Sequence, residues 1–423
     1  MPKPQVLNKA PYSFKGTEIY TLSNGLRVIL NQDKSIPVTA MQVWARCGAI
    51  DEEPRVYGIS HGLEHMVFKG TPTRSAGEIT RLIESNGGAI NAATQLETTH
   101  YYIDIPSYGT KPALEVLLDT ILNPTFPKEE LDRERLVILE EINRRDDSPD
   151  ATLWDEFASH VFKGTPYGIK VIGSRDSVSA ITTNDLHQYF RQHYVPSNLS
   201  VVLSGDFNKS MVLDLIQTKF EKLKPQEAPK KPTVQLDGNK LSDLSIKKHI
   251  QLSYVAMGFS TIGMTHKDSI ALDLIADILG GGASARLYQK LREEEEMVFS
   301  ISSDYIPFQQ KGMFAVFLEC LPQNVDRAIN QVKEEINRFG LTPPTSSEMI
   351  RAKTRIKSDW LHGSETPHGR ANSLGSLSIH GQIDLLSRYL PEIESLSIEH
   401  LKTIFSTYLA NASFATVTLN PES

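Results

Sequence analysis

A chain of 423 residues is longer than one ordinary core accommodates and leaves room for two or three domains. Its 40% hydrophobic and 22% charged residues are those of a soluble globular protein, and a net charge of -7 without any basic block excludes nucleic acid as the main partner. Two cysteines far apart in sequence, Cys47 and Cys320, exclude a disulfide framework and read as free thiols of a reducing compartment.

The first residues, MPKPQVLNKAPYSFKG, carry no apolar signal region, and no later run approaches the about 18 apolar residues that span a bilayer. The expectation is a cytoplasmic protein without a membrane span. Where a targeting segment has been removed, the periplasm or the mitochondrial matrix is the alternative. EIYTLSNGLRVIL then reads as a hairpin turning at Asn24-Gly25, and TAMQVWARCGA as a further strand.

Residues 57–71, YGISHGLEHMVFKGT, set His61 and His65 four apart, with Glu64 just before the second. On a helix, positions i and i+4 share one face one turn apart, so both imidazoles can converge on one ion. Glu64 then stands beside them as a candidate general base. Val56, Ile59, Leu63, Met66, Val67 and Phe68 make this helix half-buried, where two histidines need partners. The plainer reading is an exposed helix with two ordinary histidines.

Ser75 with Glu78 forms a capping box ahead of Ile79, Leu82 and Ile83, and Gly87-Gly88 ends that helix. KPALEVLLDTIL continues with apolar residues at helical spacing. In the predicted helix 127–145, Glu134, Ile138 and Glu141 fall on one face, at i, i+4 and i+7. Two carboxylates turned toward an apolar stripe call for a cation. A catalytic zinc site needs a third protein ligand, and spacing leaves the choice between Glu134 and Glu141 open. Asp132 and Glu140 lie off that line and read as solvated; the competing explanation is a helix salt-bridged through Arg133, Arg135 and Arg144.

The first half closes on the strand NLSVVLSGDF. Residues 221–240, rich in Pro and Lys, form the linker, and the second half runs from the strand KKHIQLSYVAMGF to SFATVTLNP. Strands followed by helices, twice over, predict an α+β protein of two similar domains, 1–220 and 241–423, each a mostly antiparallel sheet packed by helices. GGGASAR, 280–286, lacks the Gly-Lys-Ser/Thr ending of a phosphate loop and reads as a turn between helices. The Glu293–Glu296 run reads as a solvated helix face.

HGLEHMVFKGT resembles the opening signature of the pitrilysin or insulinase family of zinc peptidases, the inverzincins, in particular the processing-peptidase-like members. GGAINAATQLETTHYY, LDRERLVILEEINRRDDSPD, YGIKVIGS and GGGASARLYQKLREEEEMVFS extend the resemblance over most of the chain. It implies a zinc metalloendopeptidase with one zinc ion per chain, built as half of a clamshell. His61, His65 and Glu141 match the metal ligands, Glu141 standing 76 residues past the second histidine as in the family. Glu64 matches the general base, and Glu134 a carboxylate that supports the site from behind the ligands. AINAATQ matches the edge strand that binds peptide by strand addition, with Asn91 and Ala92 flanking the scissile bond. The C-terminal domain is expected to contribute to substrate binding and dimerisation.

One departure stands out. The family pairs an arginine with a tyrosine seven residues on, which holds the substrate carbonyl. Here Arg292 is followed at that distance by Phe299, and Tyr305 lies six residues beyond. The resemblance therefore implies the catalytic subunit of a heterodimer whose homologous partner supplies that tyrosine and closes the chamber. A homodimer working with a weaker carbonyl contact and a non-catalytic peptide-binding or scaffold subunit are the alternatives.

Overall fold

Alternating apolar residues build two sheets. The computed structural model describes residues 3–7, 11, 14–236 and 242–422, so residues 237–240 of the expected linker lie outside it. The first sheet runs Gln5–Val6, Glu18–Thr21, Arg27–Gln32, Leu199–Gly205, Val38–Ala45, Thr99–Pro106 and Ala89–Thr94. The second runs Leu244–Lys248, Ala415–Pro421, Ser253–Ile262, Lys311–Cys320 and Val298–Pro307.

The last five strands of the first sheet and the five of the second share one topology. In each, the leading strand pairs in parallel with the closing strand, and the remaining pairings are antiparallel. The fold is thus α+β, with two similar and mostly antiparallel sheets. The expected hairpin forms between Glu18–Thr21 and Arg27–Gln32, with Gly25 at φ 92 in the turn.

Met41, Val43 and Ala45 point from the first sheet into a core shared with Leu63, Met66, Leu114 and Leu117 of the helices on that face. The opposite face carries Gln42, Trp44 and His100, which the helix Pro367–Ile379 covers. Trp44 and His100 stack at 4.0 Å between ring centroids, and Asp104 hydrogen-bonds His368 on that helix at 2.8 Å.

The chain divides into two compact units, one of residues 1–142, 169–232 and 361–387, the other of 143–168, 233–360 and 388–423. A stretch from each half of the sequence is therefore counted with the other half's sheet, an exchange that a single boundary at 221–240 leaves out. The helix Pro149–Val161 packs on the strands Ser253–Ile262 and Ala415–Pro421 of the second sheet, as Pro367–Ile379 does on the central strands of the first. Part of the expected linker packs too. Lys231, buried, pairs with Asp51 at 2.6 Å, and Asp51 in turn accepts the N–H of Gly48. Among the described residues no helix is long and apolar enough to cross a membrane.

Candidate metal centre

The helix Ile59–Val67 carries both histidines, and its start is built for close packing. Gly58 precedes it at φ 94, where a Cβ would meet the carbonyl oxygen of Ile172 at 2.6 Å. The buried Glu52 carboxylate accepts the N–H groups of Gly58 and Ser60 at 2.6 and 2.8 Å, satisfying donors that the first turn leaves open. Burial pushes the Glu52 carboxyl up to about 8, against the hydrogen bonds from Gly58 and Ser60.

The second element is the helix Lys128–Asp147, which buries Leu131, Glu134, Ile138 and Ile142 along one face. Between the two helices, one donor atom each of His61, His65 and Glu141 come within 4.8 Å of one another. The Nε2 atoms of His61 and His65 lie 3.6 and 3.7 Å from Glu141 Oε2. A tetrahedral ion with bonds of about 2.0–2.2 Å holds its donors roughly 3.3–3.6 Å apart, so this trio fits zinc with little adjustment.

Glu134 lies beside the trio. Its Oε2 is 2.9 Å from His65 Nδ1, and its Oε1 is 2.6 Å from the Lys69 ammonium. Burial raises the Glu134 carboxyl, but the hydrogen bonds of Lys69 and His65 outweigh it and hold the group below the usual carboxylate range. With the proton on His65 Nδ1 shared with Glu134, Nε2 is left as an acceptor facing Glu141. As the competing explanation expects in part, arginines of this helix pair with its other carboxylates, Arg133 with Glu130 and Arg135 with Asp132, and Arg135 also donates to the carbonyl of Ile181. Glu140 is exposed.

Glu64 is turned toward the edge strand Ala89–Thr94, and its Oε2 accepts the Thr94 hydroxyl at 2.5 Å. Burial raises its carboxyl; Thr94 and His65 oppose the rise, and Glu141 adds to it. Asn91 and Ala92 lie on the same strand, opposite Tyr102 and Tyr101. This strand closes one side of its sheet and carries no further neighbour among the described residues.

Lys69 and Thr94 are the two contacts that reading the sequence missed. Lys69 stands four residues past His65, a spacing that could have raised it. Thr94 is 30 residues from Glu64, and only the folding of the edge strand against the histidine helix joins them.

Arg292 and Phe299 belong to the second unit. Both are exposed, and the Arg292 guanidinium lies over the Tyr288 ring, 4.8 Å from its centroid. Tyr305 is buried and donates its hydroxyl to the Ile262 carbonyl at 3.1 Å, so it does not stand in for a tyrosine at 299. The glutamate run is solvated as expected, with Glu293, Glu294 and Glu296 exposed, but it is only in part a helix face. The helical turn Tyr288–Glu294 ends within it, Glu295 pairs with Lys290 and Arg327, and Glu296 turns the chain at φ 50.

Residues 27–175 match the family described as Insulinase (Peptidase family M16), and residues 180–356 match the Peptidase M16 inactive domain. An uncharacterized zinc protease of Mycobacterium tuberculosis is 30% identical over 95% of this chain and 92% of its own length. The uncharacterized zinc protease YmxG of Bacillus subtilis is 26% identical over 95% of this chain and 98% of its own. Among solved structures, a protease from Helicobacter pylori superimposes with a TM-score of 0.86 at 26% identity, covering 96% of this chain and 99% of that one. The chain belongs to the insulinase (peptidase M16) family and is a homologue of its zinc proteases.

Proposed function

We propose that this protein is a zinc-dependent metalloendopeptidase that hydrolyses peptides or unfolded segments. The observation that carries the reading is the convergence of His61, His65 and Glu141 beside a carboxylate, Glu64, that belongs to no ligand pair. His61, His65 and Glu141 would hold one zinc ion, with Glu134 orienting His65. Bound there, zinc supplies a Lewis acid that polarises the scissile carbonyl and makes water a stronger acid.

The chain's own groups do the rest. An extended peptide pairs with the open side of the Ala89–Thr94 strand, near Asn91 and Ala92. Glu64 takes a proton from the attacking water, whose oxygen bonds to the carbonyl carbon. As the C–N bond breaks, Glu64 returns that proton to the leaving amine.

Phe299 supports the further reading that this is the catalytic subunit of a heterodimer. In it, a homologous partner closes the chamber and supplies a hydroxyl toward the substrate carbonyl, alongside Arg292 or its equivalent. Two buried free cysteines suit a reducing compartment such as the cytoplasm.

The test is the purified chain with zinc and a quenched-fluorescent peptide of about a dozen residues. Bound zinc near one equivalent, with cleavage that Glu64→Gln abolishes while zinc is kept, supports the enzyme. Zinc well below one equivalent in the wild type refutes the metal site. Zinc binding without cleavage, alone or with a co-purified partner, favours the non-catalytic subunit. Full activity of the lone chain refutes the need for a partner, whereas Phe299→Tyr raising a weak activity identifies the missing hydroxyl as limiting.

A further inference from the structure

Glu64 is held from the strand side, not from its own helix. Its Oε2 accepts the Thr94 hydroxyl at 2.5 Å, and the Thr94 main-chain N–H faces the same carboxylate. Thr94 is the last residue of the edge strand and pairs with Thr99 across the sheet; Ile90 and Ala92, on the same side of the strand, pack against the core. Gln95 donates its N–H to the Thr98 carbonyl at 2.8 Å. Ladder bonds in an antiparallel pair alternate, so the main-chain groups of Ala92 and Thr94 fall on the open side of the strand. The Ala92 N–H is there taken by Asn91 Oδ1 at 2.9 Å. Ala92, at the expected peptide-docking position, and Thr94, which grips Glu64, are thus two residues apart on one strand.

Building on the peptidase reading, we propose that Thr94 is a positioning residue that fixes the orientation of the general base and ties it to the strand on which the peptide docks. The hydroxyl occupies one carboxylate oxygen, Oε2, and leaves Oε1 as the proton acceptor. The strand sets the height of the scissile bond and, through Thr94, the place of that oxygen. Without the hydroxyl the carboxylate stays buried but loses the contact that selects one rotamer. A base displaced by about 1 Å costs up to about 100-fold in rate, with peptide binding untouched.

The experiment compares Thr94→Val, which keeps the shape and removes the donor, with Thr94→Ser, which keeps the donor, in the full chain. Expected for Thr94→Val are kcat lowered about 10- to 100-fold with KM within twofold, and zinc content and melting temperature as in the wild type. Thr94→Ser should return kcat to within about threefold. A crystal structure of metal-free Thr94→Val should find the Glu64 carboxylate turned away from the strand or in more than one orientation. Unchanged kcat in Thr94→Val, equal losses in both variants, or Glu64 unmoved in the crystal would each overturn the inference. Glu64→Gln run in parallel separates this from the peptidase reading, which fails if that variant retains wild-type cleavage. If the wild type cleaves nothing, the crystallographic comparison alone decides the role of Thr94.

Discussion

Replacing Glu134 by Gln changes one atom next to the proposed metal ligands and leaves those ligands themselves in place. In the wild type, Oε2 faces His65 Nδ1 at 2.9 Å and Oε1 faces the Lys69 ammonium at 2.6 Å. A glutamine amide has only one acceptor oxygen. If that oxygen serves His65, the NH2 is pressed against the Lys69 ammonium, donor against donor. If the amide flips, its NH2 meets Nδ1, and the imidazole proton is forced onto Nε2, the atom that faces Glu141. The first arrangement keeps the ligating tautomer but sets like donors together at Lys69, and the second loses that tautomer. Loss of such a supporting partner costs about 10- to 100-fold in metal affinity, or about 1.4–2.7 kcal/mol. Chelator competition at pH 7.5 measures this directly. Lys69→Met added to Glu134→Gln should recover part of the loss, since it removes the conflict with the ammonium, while Glu141→Ala should lose more than 100-fold because a ligand is gone. An affinity for Glu134→Gln within threefold of the wild type would refute the assigned role, as would a double variant no better than the single.

Gly375→Ala should destabilise the first unit by about 1–3 kcal/mol, because a Cβ there would lie 2.0 Å from Trp44 Nε1, which donates to Gln42 at 2.7 Å; urea unfolding with an unchanged midpoint would contradict this. Burial pushes the His100 imidazole down to about 4, below its ordinary 6.5, so its stabilising neutral form is fully present above pH 6.5 and its contribution is lost as pH falls toward 4. His100→Phe keeps the stack on Trp44 and should flatten the stability profile in that window by about 1.4 kcal/mol per pH unit, read from urea unfolding at several pH values; parallel profiles would refute it. Lys231→Met strands the buried Asp51 carboxylate beside the loop that leads to the histidine helix, and should cost about 3–5 kcal/mol by the same measurement.

Much of the candidate site was legible because its signals are local. Helical spacing put His61 and His65 on one face, and the same spacing put Glu134 and Glu141 on another, whatever the rest of the chain does. The choice between the two glutamates was not local. Spacing left it open, resemblance pointed to Glu141, and in the fold Glu141 faces both imidazoles while Glu134 lies behind His65. The end of the helix within the glutamate run was missed for a related reason. Four like charges read as a solvated face, but Lys290 and Arg327 draw Glu295 away from it and Glu296 turns the chain.

By itself the sequence determined the elements: the Asn24-Gly25 turn, the capped and amphipathic helices, the order of strands and helices in two similar halves, and the residues able to bind a metal. Periodicity and turn chemistry act over a few residues, so the amino-acid order carries them. Only the tertiary structure decided that 143–168 and 361–387 are counted with the other half's sheet, that Lys231 is buried against Asp51, and that Thr94 holds Glu64. Those outcomes depend on which apolar face finds which partner and which buried charge finds its counter-charge. Such pairings are made across tens to hundreds of residues, and no spacing rule reaches that far.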